Sequence, residues 1–360
     1  MSAQRRAALP SEQLRLLLTD EALSANLLPA MTDEERRALD YMGEAVVEDA
    51  QRWSLRSSLL DSKLLIPVTL INVVLSPHSS PEAVATRVRL SLWVYALDDL
   101  FEADSTEFDT LRRVVSECLS VSAGPLPAAG GAAALTEYGT LLRDICNNLA
   151  HHASWTASQP LWTGLLVRLL DGMLYEYWLQ RRYAAGGCPD VVPPFDEYLF
   201  HATHSVGVPL IWGTSLATAP GAFASLPVAR SLALLDKCGI VVRLANDLAT
   251  PLTAYDGRTV DAIRLQAWTV QSRDPSVTHH EALTAGKATV SKLKEAALAD
   301  LVRFMHGAPA AWGPESRLVR ATQLVVDFYG EHDCRSWMLT SLTPALGSSP
   351  RRADSGGVVE

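Results

Sequence analysis

Apolar side chains recur along the chain at three- and four-residue spacing: Leu14, Leu17 and Leu18; Leu161, Leu165, Leu169 and Leu170; Leu232, Leu235, Val241 and Leu244. Residues so spaced share one face of an α-helix, which can then bury a continuous stripe. Alternating β-branched runs, the mark of a half-buried strand, are rare. Proline and glycine clusters at 76–77, 123–131, 186–194, 217–221 and 307–314 interrupt the pattern. The chain therefore divides into about ten helices of ordinary length. No fixed-period repeat is present, and no interruption is long or polar enough to separate two domains. The pattern predicts an all-α fold with one domain over 1–347. A polar, glycine-rich tail over 348–360 is expected to be disordered.

Composition narrows the function without choosing it. With 360 residues, 48% apolar and 20% charged, the chain can bury a large core. A net charge of −9 and the lack of any basic run argue against nucleic acid as a partner. Five scattered cysteines, Cys118, Cys146, Cys188, Cys238 and Cys334, form no C-x-x-C pair. They suggest neither a disulfide framework nor a zinc site, and a reducing cytoplasm is the default. The N-terminus lacks the apolar stretch of a signal peptide, and the longest apolar run, 64–75, is too short to span a bilayer. No P-loop, G-x-G-x-x-G or G-x-S-x-G pattern occurs.

Two polar groups stand out against apolar helices. The segment SLWVYALDDLFEAD ends in Asp98, Asp99, Glu102 and Asp104. Asp98 and Glu102 are four apart and share a face, with Asp99 beside them. Clustered carboxylates repel unless solvent or a cation compensates, and magnesium binds through one or two carboxylates plus phosphate. A solvated acidic helix end is the alternative. In GIVVRLANDLAT, Arg243, Asn246 and Thr250 follow at spacings of three and four and also share a face. Asn and Thr offer uncharged oxygen ligands, and an arginine fork suits phosphate oxygens. A buried amide network or an ordinary exposed face is the alternative here.

Taken together, DDxxE and R-x-x-N-D-x-x-x-T in an all-helical chain resemble the class I terpene synthases, over roughly residues 50–340. The resemblance implies a helical barrel around a central apolar cavity, and three Mg2+ ions held by Asp98, Asp99, Glu102, Asn246 and Thr250. It implies a prenyl diphosphate substrate ionised to a carbocation, giving a terpene hydrocarbon or alcohol plus diphosphate. Asp98, Asp99, Asn246 and Arg243 would carry catalysis, with Arg243, Arg320 and Tyr329 at the diphosphate. PFDEYLFHATHSVGVP is similar to the family's kinked helix and puts the kink at Ser205, Val206 and Gly207.

Two departures from the family pattern bear on the metal set. The third acidic member of the second motif would fall at Ala254, which leaves one magnesium site in doubt. Asp256 is the nearest carboxylate, about 200° away on an unbroken helix. No arginine stands before the kink, where His201, Thr203 and His204 occur instead; Arg181 and Arg182 are the substitutes, with surface charge as their simpler reading.

Aromatic faces stabilise cations. Trp93, Tyr95, Tyr175, Trp178 and Trp212 are the candidates, of which about two are expected to line the cavity. Tyr95, Trp178 and Trp212 are the foremost. His279 and His280 are expected in a loop. The pieces SVGVP, NDLAT and FYGEHD look most like synthases of twenty-carbon substrates, linear or already cyclised by an upstream enzyme. A fifteen-carbon farnesyl substrate is the alternative, and a homodimer is admitted. From another class, an impaired isoprenoid-binding protein would account for Ala254.

Overall fold

The computed structural model describes residues 32–124, 135–183, 189, 192–218, 227–250, 260–306 and 314–331. The regions 1–31 and 348–360, and the pair Ala254 and Asp256, lie outside them. The described residues form twelve α-helices and one 3-10 turn, and none is in a strand. The helices are α1 (Asp33–Ser54), α2 (Leu65–Leu75), α3 (Pro81–Glu102), α4 (Phe108–Ser122), α5 (Glu137–Ala150) and α6 (Trp155–Tyr183). They continue with α7 (Phe195–Ser205), α8 (Val208–Thr218), α9 (Val228–Ala249), α10 (Ala262–Arg273), α11 (His279–His306) and α12 (Pro314–Glu331).

Helix starts follow local chemistry. Thr32 and Glu35 form a reciprocal capping box on α1, with Thr32 N donating to Glu35 Oε2 at 2.7 Å. Ser80 caps α3 and Pro81 occupies its first turn, where the missing N–H costs nothing. Thr278 and Glu281 cap each other likewise, through Thr278 N to Glu281 Oε2 at 3.0 Å. That box draws His279 and His280 into the first turn of α11, and so corrects the expectation that they sit in a loop.

Helices α2, α3, α8, α9 and α12 pack in a closed ring, each against the next and α12 back against α2. Helices α6 and α7 back the ring between α3 and α9. The break between α7 and α8 is set by Gly207, whose φ of +76° is left-handed backbone that favours glycine. Gly172 lets α6 approach α7 closely, since a Cβ there would lie 2.5 Å from His201 O. That approach sets Glu176, one turn further on, against Ser205.

The main apolar core runs through α1, α2, α3, α5, α6, α8 and α9, with Trp93, Trp162 and Trp212 at most 2% exposed. A second cluster, built on Tyr198, Leu244, Ile263 and Trp268, joins α7, α9, α10 and α11. Among the described residues, no helix is long and apolar enough to cross a membrane.

Candidate active site

The ring of helices encloses a cavity of about 280 Å3. On α3, Ser91, Tyr95, Asp98 and Glu102 all line it, at offsets of four, seven and eleven from the first. That is one helical stripe, running from a buried serine up to an exposed glutamate at the mouth. From α9, Val242, Arg243, Asn246, Asp247 and Thr250 line the opposite wall. Helix α9 ends at Ala249, and Thr250 leaves it with an extended ψ of 119°. From α6 come Met173, Glu176, Tyr177 and Gln180, and from α12 Val325 and Tyr329.

Arg243 lies at the centre of a buried charge network. Its Nη1 donates to Glu176 Oε1 at 2.9 Å, and its Nε lies 2.8 Å from Asp247 Oδ1. Its Nη2 donates to the Tyr198 hydroxyl at 2.6 Å, and that hydroxyl donates to Asp247 Oδ2 at 2.8 Å. Asp247 Oδ2 also accepts from Ala262 N at 3.1 Å, and the Ser205 hydroxyl donates to Glu176. Burial opposes the Arg243 charge, but Asp247, Glu176 and Tyr198 outweigh it and hold the guanidinium well above its ordinary pKa. Burial likewise pushes the Tyr198 phenol well above its ordinary value, with Asp247 and Glu176 adding to the rise and Arg243 opposing it. The arginine expected to reach for phosphate is therefore engaged with two carboxylates and a phenol.

Other expected residues divide clearly. Asp98, Glu102, Asn246, Thr250, Tyr95, Trp212, Ser205, Val206 and Tyr329 all line the one cavity. Gly207 forms the kink beside it. Asp99, about 100° round the helix from Asp98, is exposed and is not part of the lining. It faces α5, where its charge adds to burial in raising the Tyr138 phenol. Trp178 is 48% exposed under the Arg182 guanidinium, so its expected place on the cavity wall is corrected. Arg320 turns to α1, with Nε 3.6 Å from Glu35 Oε1, and does not reach the cavity. Trp93 donates to Tyr138 O, and Tyr175 stacks on His201 at 4.2 Å; neither lines the cavity. Arg181 donates to the carbonyls of Asp104 and Thr106, tying down the chain that follows the acidic end of α3.

Sequence reasoning passed over Glu176, Asp247, Asn72 and Ser91, which all line the cavity. Asp247 stood four residues from Arg243, and Glu176 was a lone carboxylate in the apolar run MLYEYWL. Each carried the same signal as Asp98.

Residues 89–251 match the family model described as terpene synthase family 2, C-terminal metal binding. The matched segment, somewhat under half of the chain, is similar to the metal-binding domain of the terpene synthases. No curated protein sequence matches it. Among solved structures, α-eudesmol synthase shares the fold with a TM-score of 0.56 at 16% identity, over 84% of this chain and 95% of that one. A variant of cucumene synthase gives 0.57 at 15%, over 83% and 94%. Hedycaryol synthase in complex with nerolidol gives 0.52 at 14%, over 80% and 92%. At such identities the likeness is one of fold alone.

The donor set fits the divalent metal that this terpene synthase domain implies. Two carboxylates on α3 face an amide and a hydroxyl on α9, all hard oxygen donors. Among the described residues no three His, Cys, Asp or Glu side chains group closely enough to hold an ion. A cation that binds through one or two carboxylates, water and substrate phosphate needs no such cage.

Proposed function

We propose that the chain is a magnesium-dependent terpene synthase that ionises a prenyl diphosphate in the α3–α9 cavity. One observation carries the reading: the Asp98–Glu102 face and the Asn246–Thr250 face line the same cavity, whose body is built from Val68, Ile71, Val208, Trp212 and Val242. Magnesium, held by Asp98, Glu102, Asn246 and Thr250, would supply positive charge to the departing diphosphate.

The remaining steps belong to the chain's own residues. The polar mouth orients the diphosphate, and the allylic C–O bond breaks with its electron pair leaving on oxygen. Arg243, locked by Glu176 and Asp247, fixes the register of the α9 ligands and holds its charge beside the leaving group. Tyr95 and Trp212 present aromatic faces to the cation. Apolar walls exclude water until the cation loses a proton or is captured. Tyr329, on the α12 wall, borders the diphosphate end.

The resemblance in SVGVP, NDLAT and FYGEHD supports a twenty-carbon substrate. A second reading, a fifteen-carbon substrate, is favoured by the cavity volume of about 280 Å3. That lies below the usual range of about 300–1,000 Å3 for ligand cavities. Incubation with ten-, fifteen- and twenty-carbon diphosphates, with magnesium or with chelator, separates the readings through diphosphate release and product mass. Release no faster than the uncatalysed rate with all three substrates sinks the proposal.

A further inference from the structure

The deep end of the cavity is polar. Ser91 lies two helical turns before Asp98 on the same stripe of α3, so it sits about 10 Å below the acidic mouth. Asn72 of α2 meets it there, and the two side chains are 2% and 3% exposed. Asn72 Nδ2 donates to Val68 O at 2.9 Å and to Ser91 Oγ at 3.2 Å. The Ser91 hydroxyl donates in turn to Arg87 O at 2.9 Å. These bonds fix the amide orientation, because a flip would set the Asn72 oxygen against the Val68 carbonyl. Asn72 Oδ1 is then a buried acceptor with no protein partner. Such an atom is costly in an apolar cavity unless a donor reaches it.

The pair therefore offers two acceptors, Asn72 Oδ1 and a remaining lone pair of Ser91 Oγ, while the Asn72 amide hydrogens and the Ser91 hydroxyl hydrogen are already spent. Its complement is a molecule with two O–H donors. Beneath it lies Arg87, fully buried, bonded to Thr218 Oγ1 at 3.1 Å and to the Asn72 carbonyl at 3.5 Å. A floor of this kind supplies no base.

We propose that Asn72 and Ser91 hold one water through both of its hydrogens, at the end of the cavity remote from the diphosphate. This rests on the terpene synthase reading above and deepens it. A water that donates both hydrogens to the wall turns its oxygen lone pairs into the cavity, towards the far end of the prenyl chain. Once positive charge migrates there, a lone pair forms the C–O bond and fills the empty carbon orbital. The resulting oxonium loses one proton, through water, to the released diphosphate. The net reaction consumes one prenyl diphosphate and one water, and yields one terpene alcohol and one diphosphate. The hydroxyl then stands on a carbon distant from the one that carried the diphosphate. Asn72 and Ser91 are positioning residues that act through the water.

The test uses the full chain with magnesium and prenyl diphosphate in 18O-labelled water, reading diphosphate release and product mass together. The expected wild-type product is an alcohol two mass units heavier than in ordinary water. Asn72→Leu and Ser91→Ala should each lower the alcohol fraction roughly tenfold in favour of hydrocarbon, while diphosphate release stays within about fivefold. Ser91→Ala removes a single hydroxyl and decides the matter should Asn72→Leu fold poorly. Diphosphate release with only hydrocarbon products overturns this inference alone, as does an alcohol fraction unchanged in Ser91→Ala. A wild-type chain that releases no diphosphate from any prenyl substrate overturns the terpene synthase reading and this one with it.

Discussion

Nη1 of Arg243 lies 2.9 Å from Oε1 of Glu176, joining the α9 wall of the cavity to α6. With Asp247 on the other side, the guanidinium bridges two carboxylates that would otherwise repel each other in a confined space. Arg243→Ala leaves both without their cation. It is expected to destabilise the fold by about 3–5 kcal/mol, the usual effect of breaking a buried pair by removing one partner. Urea denaturation measures it. An unchanged midpoint would show that the arginine is held for phosphate rather than for the α6–α9 joint.

The kink between α7 and α8 depends on a single residue. Gly207 has a φ of +76°, and a Cβ built there lies 2.8 Å from Val94 Cγ1 on α3. Gly207→Ala therefore meets backbone strain and a clash together, and is expected to cost about 1–3 kcal/mol. Because the kink carries Ser205 and Val206 into the cavity, turnover should fall along with the melting temperature. Retention of both would mean that the break forms without glycine.

Helix arithmetic explains how much of this was legible in the sequence. Asp98 with Glu102, and Arg243 with Asn246, reach the cavity as stripes because i, i+3 and i+4 positions share a face whatever the tertiary fold, while Thr250 reaches it from just past the end of α9. The same arithmetic cannot choose a face on a helix that is apolar all round. On α6 Tyr177 is 9% exposed and Trp178 48%, although the two are adjacent and similarly aromatic. Arg320 was assigned to the diphosphate, but its partner Glu35 lies at the far end of the sequence, and only packing could reveal it. Asn72 was passed over because one amide in an apolar run has no local pattern. Its meaning comes from Ser91, which is brought to it by α3.

His204 gives the fold an acid-sensitive point. Burial first, then the charges of Arg168 and His201, lowers its pKa from 6.5 to about 4. The folded state thus holds the imidazole neutral, while the unfolded chain takes up its proton as pH falls below 6.5. Its contribution to stability is complete above that value and is lost progressively as pH falls towards 4. By pH 5 the loss is on the order of 2 kcal/mol. Asp236, with Oδ1 3.6 Å from His204 Nε2, acts in the opposite sense, because burial raises its carboxyl. His204→Phe isolates the histidine. Urea midpoints at pH 7.5 and 5 should differ less in the variant than in the wild type, and an equal difference would remove His204 from the account.

Asp98 and Asp99 are adjacent in sequence, and they make the sharpest test of the cavity. Asp98 lines it, one turn from Glu102 and seven residues above Ser91 on the same stripe, whereas Asp99 is exposed and faces α5. A charge at Asp98 acts within a confined site, where oriented groups around a leaving group are worth most. A charge at Asp99 is screened by solvent. Asp98→Asn keeps the shape and removes the charge, and diphosphate release should fall by about 10²–10³. Asp99→Asn should stay within a few-fold of the wild type, with the same magnesium dependence. Equal losses in both variants would mean that the end of α3 turns during turnover to bring the second carboxylate inward. A loss confined to Asp99 would place the ligand face on the wrong side of the helix, and the α3–α9 cavity would no longer account for the chemistry.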